Sequence, residues 1–512
     1  MQFLEQFAGF LRFESVVFLA FLAVSVLGYF ALPGVRTRTA WMLLINVGFF
    51  LLVSPRSLAA LTAVTTTAYV VGLLLGPPTP DVNGTGTPRR RRAILVVGIL
   101  LMAGALLSFK YWPLLAATIN GLSIRVVGSS WLSPAQLLLP LGISFWTFQS
   151  IAYVVDVFKG VTPPVRSPFL FAQAVTFFPT VTAGPITKVQ SLVSQLDRHN
   201  RFSYDDMHAG LMLIAFGFFK KLMVADRLAV FVNTVFDSPR NYVPSQNGLV
   251  FLVAASFFAI QLYCDFSAYT DIVRGAARIF GVHLPLNFRA PYFASSVRDF
   301  WRRWHMSLMD WFREYIYFPL GGNRRGTPRK YLNLMIVFTI SGLWHAAGFG
   351  LQYVVWGLLN GVYVVAGEAF APLRDRVVRL LRIDRSSVAH RVFQSVLTFF
   401  LITVAWVFFR AQSIDDALYM LQGVFSPTVW VFTDNTMVSQ GLTYSELLIA
   451  LVSAIAVGIV DWLALSKDLL AGVRRQHLVY RWAFYYGLIA VIVVFGHYGG
   501  AYNAADFVYF KF

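Results

Sequence analysis

Long apolar runs recur along almost the whole sequence, and they decide what this chain can fold into. A run of about 17–25 mainly apolar residues is long enough to cross the hydrocarbon core of a bilayer as an α-helix. The 512 residues are 57% hydrophobic and only 13% charged, whereas a soluble protein has about 25% charged residues. The sequence therefore predicts an all-α polytopic membrane protein with about 11–13 transmembrane helices. The candidate spans are 15–33, 40–54, 57–76, 93–109, 133–157, 207–225, 247–265, 331–346, 350–371, 391–409, 445–464 and 482–498.

Positive charges between the spans predict the orientation of the chain. Arg36 and Arg38 lie in one loop and Arg89–Arg92 in another, with two candidate spans between the loops. Both loops therefore lie on one side of the membrane, and by the positive-inside rule that side is cytoplasmic. This orientation places the N-terminus outside. The net charge of +18 is typical of such loops, and we expect no nucleic-acid partner.

Two apolar stretches, 133–145 and 163–187, are interrupted by several prolines and by glycine. Broken helices at membrane depth persist only where they are buried in protein or line a cavity. We therefore expect re-entrant pieces near Phe177–Pro179 and Ala183–Pro185.

The basic stretch 288–330 is too charged to cross a membrane, and its pattern predicts an interfacial amphipathic helix that begins at Ser296. Apolar residues recur there at steps of three and four, and a second set falls on the opposite side. The apolar stripe consists of Phe300, Trp304, Leu308, Trp311, Tyr315 and Phe318, and the opposite side of Arg298, Arg302, His305 and Met309.

Two histidines, His305 and His345, are the candidate catalytic residues. His305 falls within the basic face, where an amphipathic surface helix would be expected to carry Lys or Arg. His345 ends an apolar run in which Gly342 permits close packing. An ionisable side chain at membrane depth is costly and is usually retained for function. A neutral imidazole in an apolar channel suits a general base near neutral pH, although a hydrogen-bonded core histidine is the alternative.

Other reactive groups have simpler explanations. Cys264 is the only cysteine, and a lone thiol is more often packed in the core than used as a nucleophile. Asp265 and Asp271 either line a polar entrance or form ion pairs with Arg274 or Arg278 at a helix end. We expect no metal site, because the histidines have no partners at ligand spacing.

A set of motifs extends from residue 139 to residue 510, and its most specific part is the run from Leu262 to Arg324. In chain order these are Leu139–Phe145, Tyr153–Val157, Phe178–Pro179, Ala183–Pro185, Asp265–Asp271, Asn287–Phe288, Pro291–Tyr292, Phe300–Leu308, Trp311–Arg313, Pro319–Arg324, Gly342–His345, Trp406–Ala411 and Phe507–Phe510. The set resembles the membrane-bound O-acyltransferase (MBOAT) superfamily, and within it the branch of bacterial alginate O-acetylation membrane proteins. The similarity covers about residues 100–512.

The resemblance implies a fold and a site. The implied fold is a ring of tilted helices around a central tunnel, in one integral-membrane domain over residues 1–512. N-terminal helices occupy 1–110, the catalytic core 111–425 and C-terminal helices 426–512. The implied catalytic histidine is His345, with His305 as the second site residue. The substrate-binding residues expected beside them are Arg298, Arg302, Trp304, Trp344 and Asp265.

The resemblance also implies a reaction. A small acyl group, expected to be acetyl, would pass from a cytoplasmic thioester donor such as acetyl-CoA across the bacterial inner membrane to an exported polysaccharide or envelope glycan. His345 would take the proton of the acceptor hydroxyl, and His305 would position the acceptor or polarise the carbonyl. No bound cofactor is expected. The expected partners are membrane lipids and an extracytoplasmic acetyltransferase.

Several alternatives remain open at this point. The same superfamily contains proteins that transfer D-alanine from a carrier protein to teichoic acid. Acceptors such as alginate, cellulose, peptidoglycan or a glycolipid fit equally well. From other classes, a proton-coupled transporter would use His345 and the acids as a relay, and a structural scaffold would use neither.

Overall fold

All regular secondary structure in the described part of the chain is helical. The computed structural model describes residues 13, 15–77, 89–130, 140–346, 350–426 and 440–498. The α-helices are α1 Val16–Ala31, α2 Val35–Val53, α3 Pro55–Leu75, α4 Arg89–Val127, α5 Ile143–Lys159, α6 Pro168–Thr176, α7 Phe178–Val181, α8 Val189–Leu196, α9 Tyr204–Phe219, α10 Asp226–Asp237, α11 Pro244–Ile279, α12 Val297–Trp301, α13 Met306–Phe312, α14 Thr327–His345, α15 Leu351–Ala369, α16 Ala371–Leu380, α17 Val388–Arg410, α18 Ile414–Val424, α19 Tyr444–Ala464, α20 Leu469–Arg474 and α21 Leu478–Phe495. Two π-helices, Lys220–Ala225 and Arg313–Tyr317, and two 3-10 turns, Pro239–Asn241 and Pro291–Phe293, complete the set.

The predicted class, an all-α polytopic membrane protein, is confirmed. Within the described residues, eight helices are long and apolar enough to cross a membrane, or nine if α15 and α16, which meet at a 54° bend, form one span. The sequence pattern predicts about 11–13 spans. Two further apolar helical segments are shorter: α1, Val16–Ala31, and the C-terminal part of α4, Leu114–Val127. Helix α5, with 17 residues, begins only at Ile143 because Gly142 adopts a left-handed conformation.

The chain divides into two compact units. The first contains the residues up to Ile214 together with Thr270–Pro285, and the second contains Ala215–Tyr269 together with the residues from Leu286 onward. The single domain predicted from the sequence, with divisions after residues 110 and 425, stays a prediction. Both candidate catalytic histidines belong to the second unit.

In the first unit, the segment predicted to be broken forms two short helices, α6 and α7. At the junction between them, polar groups form hydrogen bonds with the side chain of Asn46 from α2. The Phe178 backbone N–H donates to Asn46 Oδ1 at 3.1 Å, and Asn46 Nδ2 donates to the Thr176 hydroxyl at 3.3 Å. Every residue of α7 is buried. An interrupted helix is tolerated here because protein groups take up the freed backbone hydrogen bonds. Its depth in the membrane stays a prediction.

In the second unit, α14 and α15 pack closely because glycines lie at their contact. A Cβ on Gly342 of α14 would overlap the Tyr353 carbonyl oxygen, and a Cβ on Gly357 of α15 would overlap the Phe338 carbonyl oxygen. Small residues let helix backbones approach each other in membrane proteins. The close packing predicted at Gly342 is confirmed, and it fixes the C-terminal end of α14, where His345 lies.

Candidate active site

His345 is the last residue of α14, and its imidazole lies in an aromatic surround. The residue is buried, with 5% of its surface exposed. Its ring meets those of Trp356 at 5.3 Å and Phe409 at 5.0 Å between centroids, both near edge-on. Trp356 belongs to α15 and Phe409 to α17. Three helices therefore fix the position of this one ring.

His305 lies at a break between α12 and α13 and not within one continuous helix. Its φ of 45° is left-handed, and it serves as the N-cap of α13. Ser296 does begin the first piece, since its hydroxyl accepts from the Asp299 N–H. The single amphipathic helix predicted from Ser296 onward is therefore wrong. Periodicity assumes helical dihedrals throughout, and His305 departs from them.

Asn287 holds the His305 turn from a different segment of the chain. Its Oδ1 lies 3.2 Å from His305 Nδ1. The same oxygen accepts from the Ser307 N–H at 3.2 Å and from the Ser307 hydroxyl at 2.8 Å. The Asn287 backbone carbonyl accepts from the Met306 N–H at 2.9 Å. One asparagine thus fixes the backbone on the C-terminal side of His305 and the orientation of its ring.

This arrangement assigns the His305 tautomer. The atom of Asn287 that accepts from the Ser307 N–H must be the amide oxygen, so His305 Nδ1 must donate to it and carry the proton. Burial lowers the pKa of His305 to about 3, so the ring is neutral at physiological pH. The unprotonated Nε2 of His305 is therefore a hydrogen-bond acceptor.

Both histidines line the same cavity. The free space that it encloses is about 10 Å³, roughly the room that one water molecule needs. The lining residues are Leu262, Trp301, Trp304, His305, Leu308, Met309, Ser341, His345, Trp356, Trp406 and Phe409. The structure thus brings together two histidines that lie forty positions apart in the sequence, in an enclosure built mainly of aromatic rings.

The break at His305 also changes which residues share a surface. Periodicity puts Trp304 and Leu308 on one helix face and His305 and Met309 on the opposite face. In the structure all four line the cavity, so the predicted separation of these residues is wrong. The left-handed turn at His305 redirects the chain, and residues on both sides of it point into one space. Trp304 lines the cavity, and its contact with a substrate stays a prediction.

Three other predicted substrate-binding residues do not line the cavity. Trp344 packs beside it, with its ring 4.6 Å from that of His345. Arg298 pairs with Glu368 of α15, which also accepts from Lys330. Arg302 is exposed. A role for the two arginines in binding the donor stays a prediction, and contact would take place outside the cavity.

Asp265 also lies apart from the cavity lining. It accepts from Lys221 Nζ at 2.8 Å, and Lys221 reaches Asp226 at the same distance. All three are buried. Asp265 is therefore held in a buried ion cluster with Lys221, and not by Arg274 or Arg278 as the ion-pair explanation predicted. Asp271 does pair with Arg274, at 3.4 Å, as that explanation predicted. Cys264, beside Asp265, is buried as a free thiol.

Sequence reasoning assigned no role to Asn287, Trp301, Trp356 or Lys221. Asn287 and Trp301 fall within motifs that carried the family resemblance. These motifs could have indicated both residues as members of the site. Trp356 and Lys221 lie in apolar runs that read as membrane helix. Apolar patterning reports that a residue is buried, but it does not report which buried residues meet at a cavity.

Comparison with known proteins assigns the chain to a family. The model of the membrane-bound O-acyltransferase family matches residues 165–410, a range that contains every cavity-lining residue. The probable alginate O-acetylase AlgI of Pseudomonas putida is 34% identical over 456 residues, which cover 88% of this chain and 88% of that protein. The chain belongs to the membrane-bound O-acyltransferase family. It is an O-acyltransferase and a multi-pass membrane protein.

Two other relatives differ in coverage. The peptidoglycan O-acetyltransferase of Helicobacter pylori is 32% identical over 445 residues, covering 81% of this acyltransferase and 80% of the relative. The teichoic acid D-alanyltransferase of Bacillus subtilis is 27% identical over 248 residues, covering 46% and 61%. Membership in a family of enzymes favours catalysis over the transporter and scaffold alternatives.

Proposed function

We propose that this acyltransferase moves an acetyl group from a cytoplasmic thioester, acetyl-CoA, across the bacterial inner membrane for O-acetylation of an exported polysaccharide or envelope glycan. The observation that carries the proposal is that His305 and His345 line the same small cavity. The relatives named as O-acetylating enzymes align over more than four fifths of the chain, and the D-alanyl relative over less than half. That difference favours acetyl over D-alanyl transfer.

The reaction joins a hydroxyl oxygen to the acyl carbon and releases a thiol. As the hydroxyl attacks the thioester carbonyl, the His345 imidazole takes its proton. The C–S bond then breaks, and the proton passes to the leaving thiolate. A positioned general base typically contributes about 10²–10⁴-fold to the rate. The aromatic wall excludes water and so limits hydrolysis of the thioester.

His305 has a narrower role than the resemblance alone implies. Because Nδ1 donates to Asn287, the neutral His305 ring cannot donate a hydrogen bond to the thioester carbonyl. His305 positions the acceptor by lining the cavity beside His345, and a group other than His305 must stabilise negative charge on the carbonyl oxygen.

Acetyl transfer within a membrane also needs access from both faces. An extracytoplasmic acetyltransferase partner would receive the group and complete transfer to the polymer. Only the small acyl group then passes the cavity, and the bulky thioester carrier stays on the cytoplasmic side. Positive charge near Arg302 would attract an anionic donor to that side.

The test compares two histidine variants in the native host and in reconstituted membranes. We expect His345→Ala to lower acetyl-CoA consumption and polymer acetyl content by about 10²–10⁴-fold, with unchanged protein level. The matched control is His199→Ala, at an exposed histidine, which should retain full activity. Normal acetylation by His345→Ala would overturn the proposed mechanism. Wild-type protein that ignores acetyl-CoA but consumes an aminoacylated acidic carrier protein would establish D-alanyl transfer instead.

A further inference from the structure

Trp356 offers a hydrogen-bond donor that nothing in the described structure uses. The side chain is 2% exposed, and its indole Nε1 is buried without an acceptor among the residues that the structure describes. An indole nitrogen can only donate. Buried donors in proteins are nearly always paired, so an unpaired donor requires an explanation. Trp356 lines the cavity, so a bound substrate can supply an acceptor.

We propose that the Trp356 indole N–H donates to the thioester carbonyl oxygen and stabilises the negative charge that develops there during acyl transfer. This inference rests on the proposed function. The need for such a donor follows from His305: its Nδ1 proton is engaged by Asn287, which leaves an acceptor at Nε2. A donor aimed at the developing oxyanion is commonly the largest single contribution to catalysis.

The surroundings of Trp356 hold the indole rigidly beside the catalytic base. Its ring packs edge-on against His345 at 5.3 Å and stacks on Trp406 at 5.6 Å. Its backbone carbonyl accepts from Asn360 Nδ2 at 2.8 Å. A donor held in this way needs no reorganisation when charge appears on the substrate, and that is the condition under which such donors are effective.

Trp301 lies in the same cavity wall and provides a contrast. Its Nε1 donates to Asn360 Oδ1 at 3.1 Å, so its N–H already has a protein acceptor. The two tryptophans thus share burial and location but differ in whether the N–H is in use. The Ser341 hydroxyl also lines the cavity, but a hydroxyl rotates and can accept as well as donate.

The experiment removes each N–H in turn and separates kcat from KM. We expect Trp356→Phe to lower kcat for acetyl-CoA turnover by about 10²–10³-fold, the usual effect of removing one oxyanion donor, with KM changed by less than about threefold. Trp301→Phe, the matched control, should lose thermal stability through its bond to Asn360 while kcat falls much less. A ¹³C-carbonyl thioester should show a lower carbonyl stretching frequency in the wild type than in Trp356→Phe.

A second variant keeps the shape of the side chain. Benzothienylalanine at position 356 replaces the N–H with sulfur and keeps the bicyclic ring, and it should reproduce the kcat loss of Trp356→Phe. If this variant retains the wild-type kcat, the indole acts by shape and the proposal is overturned. If His345→Ala is inactive while both position-356 variants are fully active, the proposed function stands and this inference fails. If the wild type turns over no acyl thioester, both fail.

Discussion

At the residue scale, the backbone of His305 and the side chain of Asn287 depend on each other. A left-handed conformation at a residue other than glycine costs about 1–3 kcal/mol, and it persists only where the surroundings impose it. Here the Asn287 side chain and backbone accept from His305, Met306 and Ser307. The strain at His305 is therefore offset by hydrogen bonds that also select its tautomer.

Replacing Asn287 with Leu removes an acceptor shared by three donors. We expect Asn287→Leu to lower kcat more than it lowers binding, since the His305 ring loses both its orientation and its tautomer. The unpaired donors should also cost about 1–3 kcal/mol of stability each. The readouts are thioester turnover and thermal unfolding in nanodiscs.

Asn333→Leu is the control for this experiment. Asn333 is likewise fully buried, and its Nδ2 donates to the Gly322 carbonyl at 2.9 Å, away from the cavity lining. This variant should lose stability and keep kcat in the protein that remains folded. Equal kcat losses in the two variants would mean that Asn287 has only a structural role.

At the element scale, the sequence predicted some features of the site and not others. The apolar period located α14 and placed His345 near its end, and Gly342 correctly indicated a close helix contact. The break at His305 escaped prediction because its cause, Asn287, lies eighteen positions away in an irregular segment. Periodicity describes interactions within one helix. It carries no information about a side chain that arrives from another segment.

The contact between α14 and α15 yields a prediction at this scale, because it sets His345 against Trp356. Gly357→Ala should lower the unfolding temperature and the turnover rate together, since the new methyl group would overlap the Phe338 carbonyl oxygen. Gly367→Ala, on the same helix, should be neutral or slightly stabilising. Nothing lies within 4 Å of its added Cβ, and alanine favours a helix over glycine by about 1 kcal/mol.

Both glycine variants are compared by thermal unfolding and turnover in the same membrane preparation. The comparison removes the effect of helix propensity, because both substitutions are Gly to Ala on α15. If Gly357→Ala and Gly367→Ala behave alike, close approach of the two helices is not what positions the cavity wall.

At the scale of the whole molecule, charge is scarce inside and abundant in the loops. Some buried charges in the second unit form ion pairs, as in the cluster of Lys221, Asp226 and Asp265. Removing one partner of a buried ion pair leaves an uncompensated charge and costs about 3–5 kcal/mol. The net charge of the chain is +18, so positive charge is in excess outside such clusters. This excess determines the orientation in which the chain inserts into the membrane.

That excess predicts a definite topology for the first helices. Arg36 and Arg38 lie at the start of α2 and Arg89–Arg92 at the start of α4, with α2 and α3 between them. If α2 and α3 each cross the membrane, both basic clusters lie on one face. The first turn of α3, where Arg56 carries a single positive charge, lies on the other face. The positive-inside rule assigns the clustered face to the cytoplasm.

Cysteine labelling tests this topology, because the chain has one cysteine, Cys264, and it is buried. In a Cys264→Ser background, single cysteines replace the exposed residues Thr37, Arg56 and Arg90. We expect a membrane-impermeant maleimide to label Arg56→Cys in intact spheroplasts, and to label Thr37→Cys and Arg90→Cys only after the membrane is permeabilised. The reverse pattern would invert the chain and put the basic residues on the outer face, where a cytoplasmic anionic thioester could not meet them. Labelling of all three sites in intact cells would mean that α2 and α3 do not both cross.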